Sequence, residues 1–311
     1  MKIKNPAFID CYGDLKSRVS SEMLNIVPDL EIFYDKPADE NELIKRLQGR
    51  RNVMVYMAYL SSKVLKACPQ LKTISYLSTG LATHGDLTAA EEMDIRFEGV
   101  KGYGDRAVAE HTIALAFAAI KQITKMDRMI KAGNWGLLKT EELQGKTFGI
   151  IGLGGIGLET AKIAKALGTR TIGWSRSASS ANLPVEIVTL DHLLTQSDII
   201  SLHLPLTRDT KAFIDTRKLK KTKKGVILIN TARADIVDED ALISFLESGH
   251  IGQCSLAVFH REPLETCNPL IKMNNVTLTP HSAWLTTQAI DRLLLSGFSL
   301  LKKQISETSY V

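Results

Sequence analysis

Three groups of residues late in the chain have the types and placement for chemistry: Asn230-Thr231-Ala232-Arg233, Arg261-Glu262-Pro263-Leu264 and Thr279-Pro280-His281-Ser282-Ala283-Trp284. Each follows a short apolar run that reads as a strand, which brings all three to one edge of a sheet. An arginine, a glutamate and a histidine so placed meet the needs of 2-oxo acid reduction. The guanidinium grips a carboxylate in a fork and polarises the adjoining oxo group. The imidazole supplies a proton as hydride reaches the carbonyl carbon. The carboxylate fixes the imidazole's tautomer and favours its charged form. Taken singly, each residue also has an ordinary reading: a surface ion pair for Arg233, a turn residue for Glu262, a satisfied core histidine for His281.

Hydride needs a carrier, and residues 148–157, FGIIGLGGIG, make the place for one. A strand-like run ends at Ile151, then come Gly152, Gly154 and Gly157, then a helical pattern over 158–167 that stops at Gly168. Gly152 permits a tight turn, Gly154 lets backbone approach a pyrophosphate, and Gly157 lets helix pack close on strand. The helix N-terminus, with Gly155 and Ile156 at its start, then faces the phosphates. A second strand over 169–174 ends near the adenine ribose, about 20 residues on. NAD binders place a carboxylate there, and this chain has Ser175-Arg176-Ser177. A guanidinium between two hydroxyls suits a 2′-phosphate, so NADP(H) is favoured, with NAD(H) the second candidate.

The elements that must carry these groups alternate along the chain. Strands are expected over 3–11, 53–59, 73–77 and 95–100, with helices over 20–26, 40–47 and 87–93, as a small α/β unit with a Ser78-Thr79-Gly80 loop at a strand's C-terminal end. A helical pattern runs from Ala107 to Gly133 and leads to the glycine loop. Strands over 199–202, 226–230, 254–258 and 276–278 follow, separated by helical segments, in the rhythm of a doubly wound parallel sheet. A last amphipathic helix over 286–304 is expected to return to the first unit.

A chain of 311 residues with 44% hydrophobic residues can bury two cores. No stretch approaches a membrane span, and the N-terminal residues lack the apolar run of a signal peptide, so a cytoplasmic enzyme is expected. Four scattered cysteines suggest neither a metal site nor a disulfide framework. The formal charge of +5 comes from dispersed lysines, with a cluster at 218–224 that reads as a solvated helix end rather than a nucleic-acid patch.

The segments VKGYGDRAVAEHTIAL, GKTFGIIGLGGIG, SDIISLHLPLT, NTARADIVDEDAL, VFHREPL and TPHSAW, in this order and spacing, resemble the D-isomer-specific 2-hydroxyacid dehydrogenases over nearly the whole length. The resemblance implies that Arg233 binds the substrate carboxylate, that His281 gives or takes the proton, and that Glu262 is its partner. It implies a cofactor lining from Thr231, Ala232, Ala257, Ala283, His203, Leu204, Pro205 and Thr210, and a substrate contact from Ser78, Thr79, Gly80 and Trp284. It further implies two doubly wound parallel-sheet domains: a flavodoxin-like substrate domain (1–103 and 281–311) and an inserted Rossmann-type coenzyme domain (104–280). A cleft that closes on substrate, and a homodimer through the coenzyme domains and the helix after Ala107, complete the family expectation. The tip at Ser175-Arg176-Ser177 is similar to that of NADPH-using glyoxylate and hydroxypyruvate reductases.

This chain departs from the family pattern at Ala257, where an aspartate near the nicotinamide is usual, which implies weaker anchoring of that ring. It departs again at Ala234, where a glycine is usual and an alanine requires negative φ. Residues 81–86, LATHGD, replace a more glycine- and aspartate-rich run, and His84 reads there as a loop residue rather than a second proton donor. Two other functions compete. A formate dehydrogenase-like donor pairs its histidine with an amide, against the acid Glu262 here. A non-catalytic NADP(H) sensor or corepressor-like protein is the reading that Ala257 favours, against the intact Arg233, Glu262 and His281 set.

Overall fold

Short polar side chains write the helix starts. Ser20, Asp39, Ser61, Asp86, Thr189, Asp215 and Asp238 sit in extended backbone, and each accepts the N–H three residues on. A cap of this kind contributes about 1 kcal/mol. The computed structural model describes residues 4–176 and 183–308, and the chain divides into two compact units, Met1–Gly104 with Thr286–Val311, and Asp105–Leu285.

The first unit runs β1 (Ala7–Phe8), α1 (Ser21–Ile26), β2 (Glu31–Ile32), α2 (Glu40–Leu47), β3 (Asn52–Val55), α3 (Ser62–Lys66), β4 (Thr73–Tyr76), α4 (Leu87–Glu92) and β5 (Arg96–Gly99). Its five strands are all parallel, in the order β2-β1-β3-β4-β5, which is the flavodoxin-like order. Ile9, Val53, Val55, Ile74 and Tyr76 fill its core.

The second unit contains α5 (Asp105–Ile120), α6 (Ile123–Lys131), β6 (Thr147–Ile151), α7 (Gly155–Ala166), β7 (Arg170–Trp174), β8 (Glu186–Ile187), α8 (Leu190–Gln196), β9 (Ile199–Leu202), α9 (Thr216–Lys221), β10 (Val226–Asn230), α10 (Glu239–Glu247), β11 (Ile251–Leu256) and β12 (Val276–Leu278). Its seven strands, again all parallel, lie in the order β12-β11-β10-β9-β6-β7-β8. The order reverses between β6 and β9, and ligands of such sheets bind outside the carboxyl ends at that reversal. Every residue of β9 and β10 is buried, as strands covered on both faces must be. The last helix, α11 (Thr287–Thr308), does return to the first unit, where it packs on β3 and β4, buries Leu293, Leu294, Phe298 and Leu301, and accepts the Ser75 hydroxyl with Gln304 Oε1 (2.7 Å). Lys218, Lys220 and Lys221 of the 218–224 cluster stand in the last turn of α9, where cations complement the helix dipole, and Lys223 beyond it pairs with Asp198.

Two expectations need correction. The helix read from Ala107 to Gly133 is two helices, because Gln122 takes the left-handed conformation (φ +49°) and turns the chain. α5 is buried on several sides whereas α6 buries no residue, so one hydrophobic period spans two different environments. The first strand is also much shorter than 3–11, with β1 pairing only through Ala7 and Phe8.

Candidate active site

One row of paired residues crosses the second sheet: Trp174, Ile151, Leu202, Asn230, Leu256 and Leu278. The residue that follows each of them is Ser175, Gly152, His203, Thr231, Ala257 or Thr279. The segments singled out in this unit therefore leave the sheet at one edge and at one level. The ladder reaches one step further, with the Ala257 N–H donating to Asn230 O (3.0 Å) and the Thr279 N–H to Leu256 O (2.9 Å).

Beyond that edge, the His281 Nδ1 lies 3.0 Å from Glu262 Oε2. Glu262 is held in turn, its other oxygen accepting the Phe259 N–H at 3.0 Å. A carboxylate on Nδ1 calls for the tautomer that carries its proton there, which leaves Nε2 for exchange with a substrate. Arg233 sits at the start of a tight turn bracketed by Asn230, whose side chain accepts the Ala232 N–H (3.0 Å) and donates to Arg233 O (2.9 Å). The Arg233 guanidinium donates to Ala232 O at 2.7 Å, leaving donors of its fork unspent. Ala234 stands outside the positive-φ residues, as its side chain requires.

The glycine loop has the shape that a pyrophosphate needs. Gly152 is at φ +102°, and a Cβ there would lie 2.4 Å from His203 O. A Cβ on Gly157 would lie 2.0 Å from Gly152 O, which is the close approach of α7 to β6. Gly154 caps α7 with no side chain, and a Cβ there would meet nothing within 4 Å. Gly154 and Gly155 are exposed at the start of α7, with the Asp105 carboxylate lying against Gly155. The residues present thus fit a dinucleotide.

Arg176 is 82% exposed at the tip of β7 and pairs with Asp209 at 3.2 Å, a contact between two solvated side chains that holds it loosely. Ser177 lies outside the described residues. Desolvation pushes the His203 imidazole down to about 3, so it is neutral at pH 7, and its Nε2 lies 3.0 Å from Ser201 Oγ. Thr210 Oγ1 accepts the Thr207 N–H (2.7 Å) and donates to Pro205 O (2.6 Å), which shapes the 205–207 turn. Ala257 is fully buried within an apolar cluster that includes Ile227, Ile229 and Ala116. Ala283 is buried and Trp284 half-buried.

In the first unit, the Ser78-Thr79-Gly80 loop follows β4. The Ser78 N–H donates to Tyr76 O at the end of β4 (2.9 Å) and the Gly80 N–H to Ser78 Oγ (3.3 Å), so two of the loop's three backbone donors are already engaged. His84 stacks on Tyr76 with ring centroids 4.7 Å apart, in keeping with a loop role. Sequence reasoning passed over Asp10, whose buried carboxylate accepts the N–H groups of Tyr56, Met57 and Ala58 at 2.7–2.8 Å and fixes the loop after β3. Burial raises its carboxyl above the ordinary value, against the pull of those three donors. An aspartate two residues after a strand is the one local signal, and it does not name the partners.

A glycine crevice at a sheet's reversal, with a histidine–carboxylate pair at the same edge, defines a dinucleotide-dependent oxidoreductase. The family profile for the NAD-binding domain of the D-isomer-specific 2-hydroxyacid dehydrogenases matches residues 113–283. A glyoxylate reductase of Thermofilum pendens is 36% identical, over 83% of this chain and 79% of its own. A hydroxypyruvate reductase of Thermotoga maritima is 34% identical, over 95% and 96%. Among solved structures, an acyclic imino acid reductase (Bsp5) in complex with NADPH and D-Arg is similar at a TM-score of 0.85, with 29% identity over 99% of this chain and 98% of that one. The chain belongs to the D-isomer-specific 2-hydroxyacid dehydrogenase family and is an oxidoreductase that works by hydride transfer with a nicotinamide cofactor.

Proposed function

We propose that this enzyme reduces small 2-oxo acids at the expense of NADPH, glyoxylate to the achiral glycolate and hydroxypyruvate to D-glycerate foremost. The observation that carries the reading is the Glu262–His281 contact at the same sheet edge as Arg233 and the glycine loop. When bound, the reduced nicotinamide supplies hydride. Arg233 holds the substrate carboxylate and draws electron density from the oxo group. As the carbonyl carbon gains hydride, its oxygen takes the proton from His281 Nε2, and Glu262 carries the remaining Nδ1 proton in a charge-assisted bond. The reverse reaction uses the same groups with His281 as base.

Substrate choice rests on the two reductases named above, and NADPH on Arg176 with the NADPH complex of the imino acid reductase. The first unit is taken as the substrate domain and the second as the coenzyme domain. Ile123 and Ile130 on α6, with Trp135 and Leu137 beyond it, expose 50–93% of their surface. That apolar stretch supports a homodimer through the coenzyme unit. Among the described residues no helix is long and apolar enough to cross a membrane, and we place the enzyme in the cytoplasm. The buried Ala257 favours one competing function, a sensor that binds NADPH without turnover. NADPH and NADH oxidation, run side by side with glyoxylate, hydroxypyruvate, pyruvate and an aromatic 2-oxo acid, decides. Rapid NADPH turnover of a small acid supports the proposal, and tight NADPH binding without turnover on any of them selects the sensor.

A further inference from the structure

α5 packs against β10, β11 and β12, and two successive residues on it reach two different strand ends. Thr112 Oγ1 lies 3.0 Å from Thr231 Oγ1, in a buried contact. Because Thr112 gives its own proton to Val108 O (2.8 Å), Thr231 must be the donor between them. His111 Nε2 lies 3.0 Å from Thr279 Oγ1. Thr231 stands two residues before Arg233, and Thr279 two residues before His281. The two contacts therefore fasten, at equal spacing, the segment that carries the carboxylate-binding guanidinium and the segment that carries the proton donor.

We infer that His111 and Thr112 are positioning residues, one turn of α5 that fixes the Arg233 and His281 segments to a common support. The inference rests on the roles proposed above for those two residues. Neither His111 nor Thr112 touches substrate or cofactor in this scheme. Each acts through a threonine hydroxyl in the neighbouring loop. Desolvation lowers the His111 imidazole below its ordinary value, so at neutral pH it is an uncharged hydrogen-bonding group and not a competing acid. The remaining backbone of each segment continues the sheet ladder, through the Ala257 N–H to Asn230 O and the Thr279 N–H to Leu256 O. The side-chain contacts to α5 add restraints from outside the sheet to those that Glu262 gives His281 and Asn230 gives the Arg233 turn. A displacement of about 1 Å at a catalytic group can cost about 100-fold in rate, and loosening one such restraint is expected to cost about tenfold.

The test is a double-mutant cycle on His111→Leu and Thr279→Val, with Thr279→Ser as the conservative control. Each single variant should lower kcat about tenfold at unchanged NADPH affinity, and the double variant should be no slower than either. Thr279→Ser should keep the wild-type kcat. The His281 imidazole resonance, assigned by its loss in His281→Gln, should move alike in His111→Leu and Thr279→Val and stay put in Thr279→Ser. The second contact has its own signature: Thr112→Val, at a residue outside the cofactor lining, should chiefly raise KM for the 2-oxo acid at unchanged NADPH affinity. Additive losses, or an unmoved His281 resonance with normal kcat, would overturn the inference. If the wild-type enzyme turned over no 2-oxo acid, the proposed function would fall, while the resonance would still decide whether His111 positions His281.

Discussion

Gly154 and Gly157 should separate cofactor binding from folding. Gly154 has φ −75° and ψ −170°, which any residue adopts, and its Cβ would meet no atom of the described residues within 4 Å. Gly154→Ala loses a favourable N-cap glycine but gains from a less flexible unfolded chain, about 0.4–1 kcal/mol in each direction. The net change should stay within about 0.5 kcal/mol, or roughly 2 °C in Tm for a domain of this size. A pyrophosphate seated on the α7 N-terminus would meet the new methyl group, and NADPH should bind about 10–100-fold more weakly, a loss of about 1.4–2.7 kcal/mol. Gly157→Ala differs, because its Cβ would lie 2.0 Å from Gly152 O, a backbone atom that cannot swing aside. Helix and strand must part, at about 1–3 kcal/mol or more, so both Tm and affinity should fall. Thermal melts with NADPH titration by protein fluorescence read the two effects separately. Wild-type NADPH affinity in Gly154→Ala would refute the placement of the pyrophosphate at this turn. A melt as low as that of Gly157→Ala would refute the claim that the space is open.

Other perturbations follow from the same geometry. Replacing Ser175 by Asp and Arg176 by Ala should shift preference from NADPH toward NADH by about tenfold or more, and an unchanged ratio of kcat/KM values would defeat the 2′-phosphate argument. His281→Gln should lower kcat by about 100-fold or more with little change in KM, while Arg233→Ala should chiefly raise KM; steady-state kinetics that reversed the two would exchange their roles. Asp10→Ala should cost about 3 kcal/mol or more in urea unfolding, because it strands the N–H groups of Tyr56, Met57 and Ala58. Burial raises the Asp10 carboxyl above 3.8, so the folded state holds the proton more tightly than the unfolded one. Wild-type stability due to this group therefore falls as pH rises from 3.8 through the raised value, and the Asp10→Ala deficit should be largest at the acid end of that window. A deficit that grew with pH would reverse the assignment.

What could be read from the sequence had local causes. Gly152, Gly154 and Gly157 announce themselves because a strand, a tight turn and a helix start are all short-range events. The Glu262–His281 pair and the common sheet edge were also within reach, since period and strand punctuation place each group at a strand end. Contacts between distant residues were not. His111 meets Thr279 168 positions away, and Asp10 meets the Tyr56–Ala58 loop 46–48 positions away. Neither partner carries a local signal for the other. The break at Gln122 was hidden for a different reason: one left-handed residue leaves the hydrophobic period unbroken on either side. The bond from the Gly80 N–H to Ser78 Oγ likewise depends on a side-chain rotamer that composition does not encode.

The stereochemistry of the alcohol product tests the central claim most directly. NADP+ reduction should be followed with D-glycerate and with L-glycerate under identical conditions, in the wild-type enzyme and in His281→Gln. Turnover of the D-isomer alone, lost in His281→Gln, is the predicted result. Equal use of both isomers, or D-specific turnover that survives in His281→Gln, would contradict it.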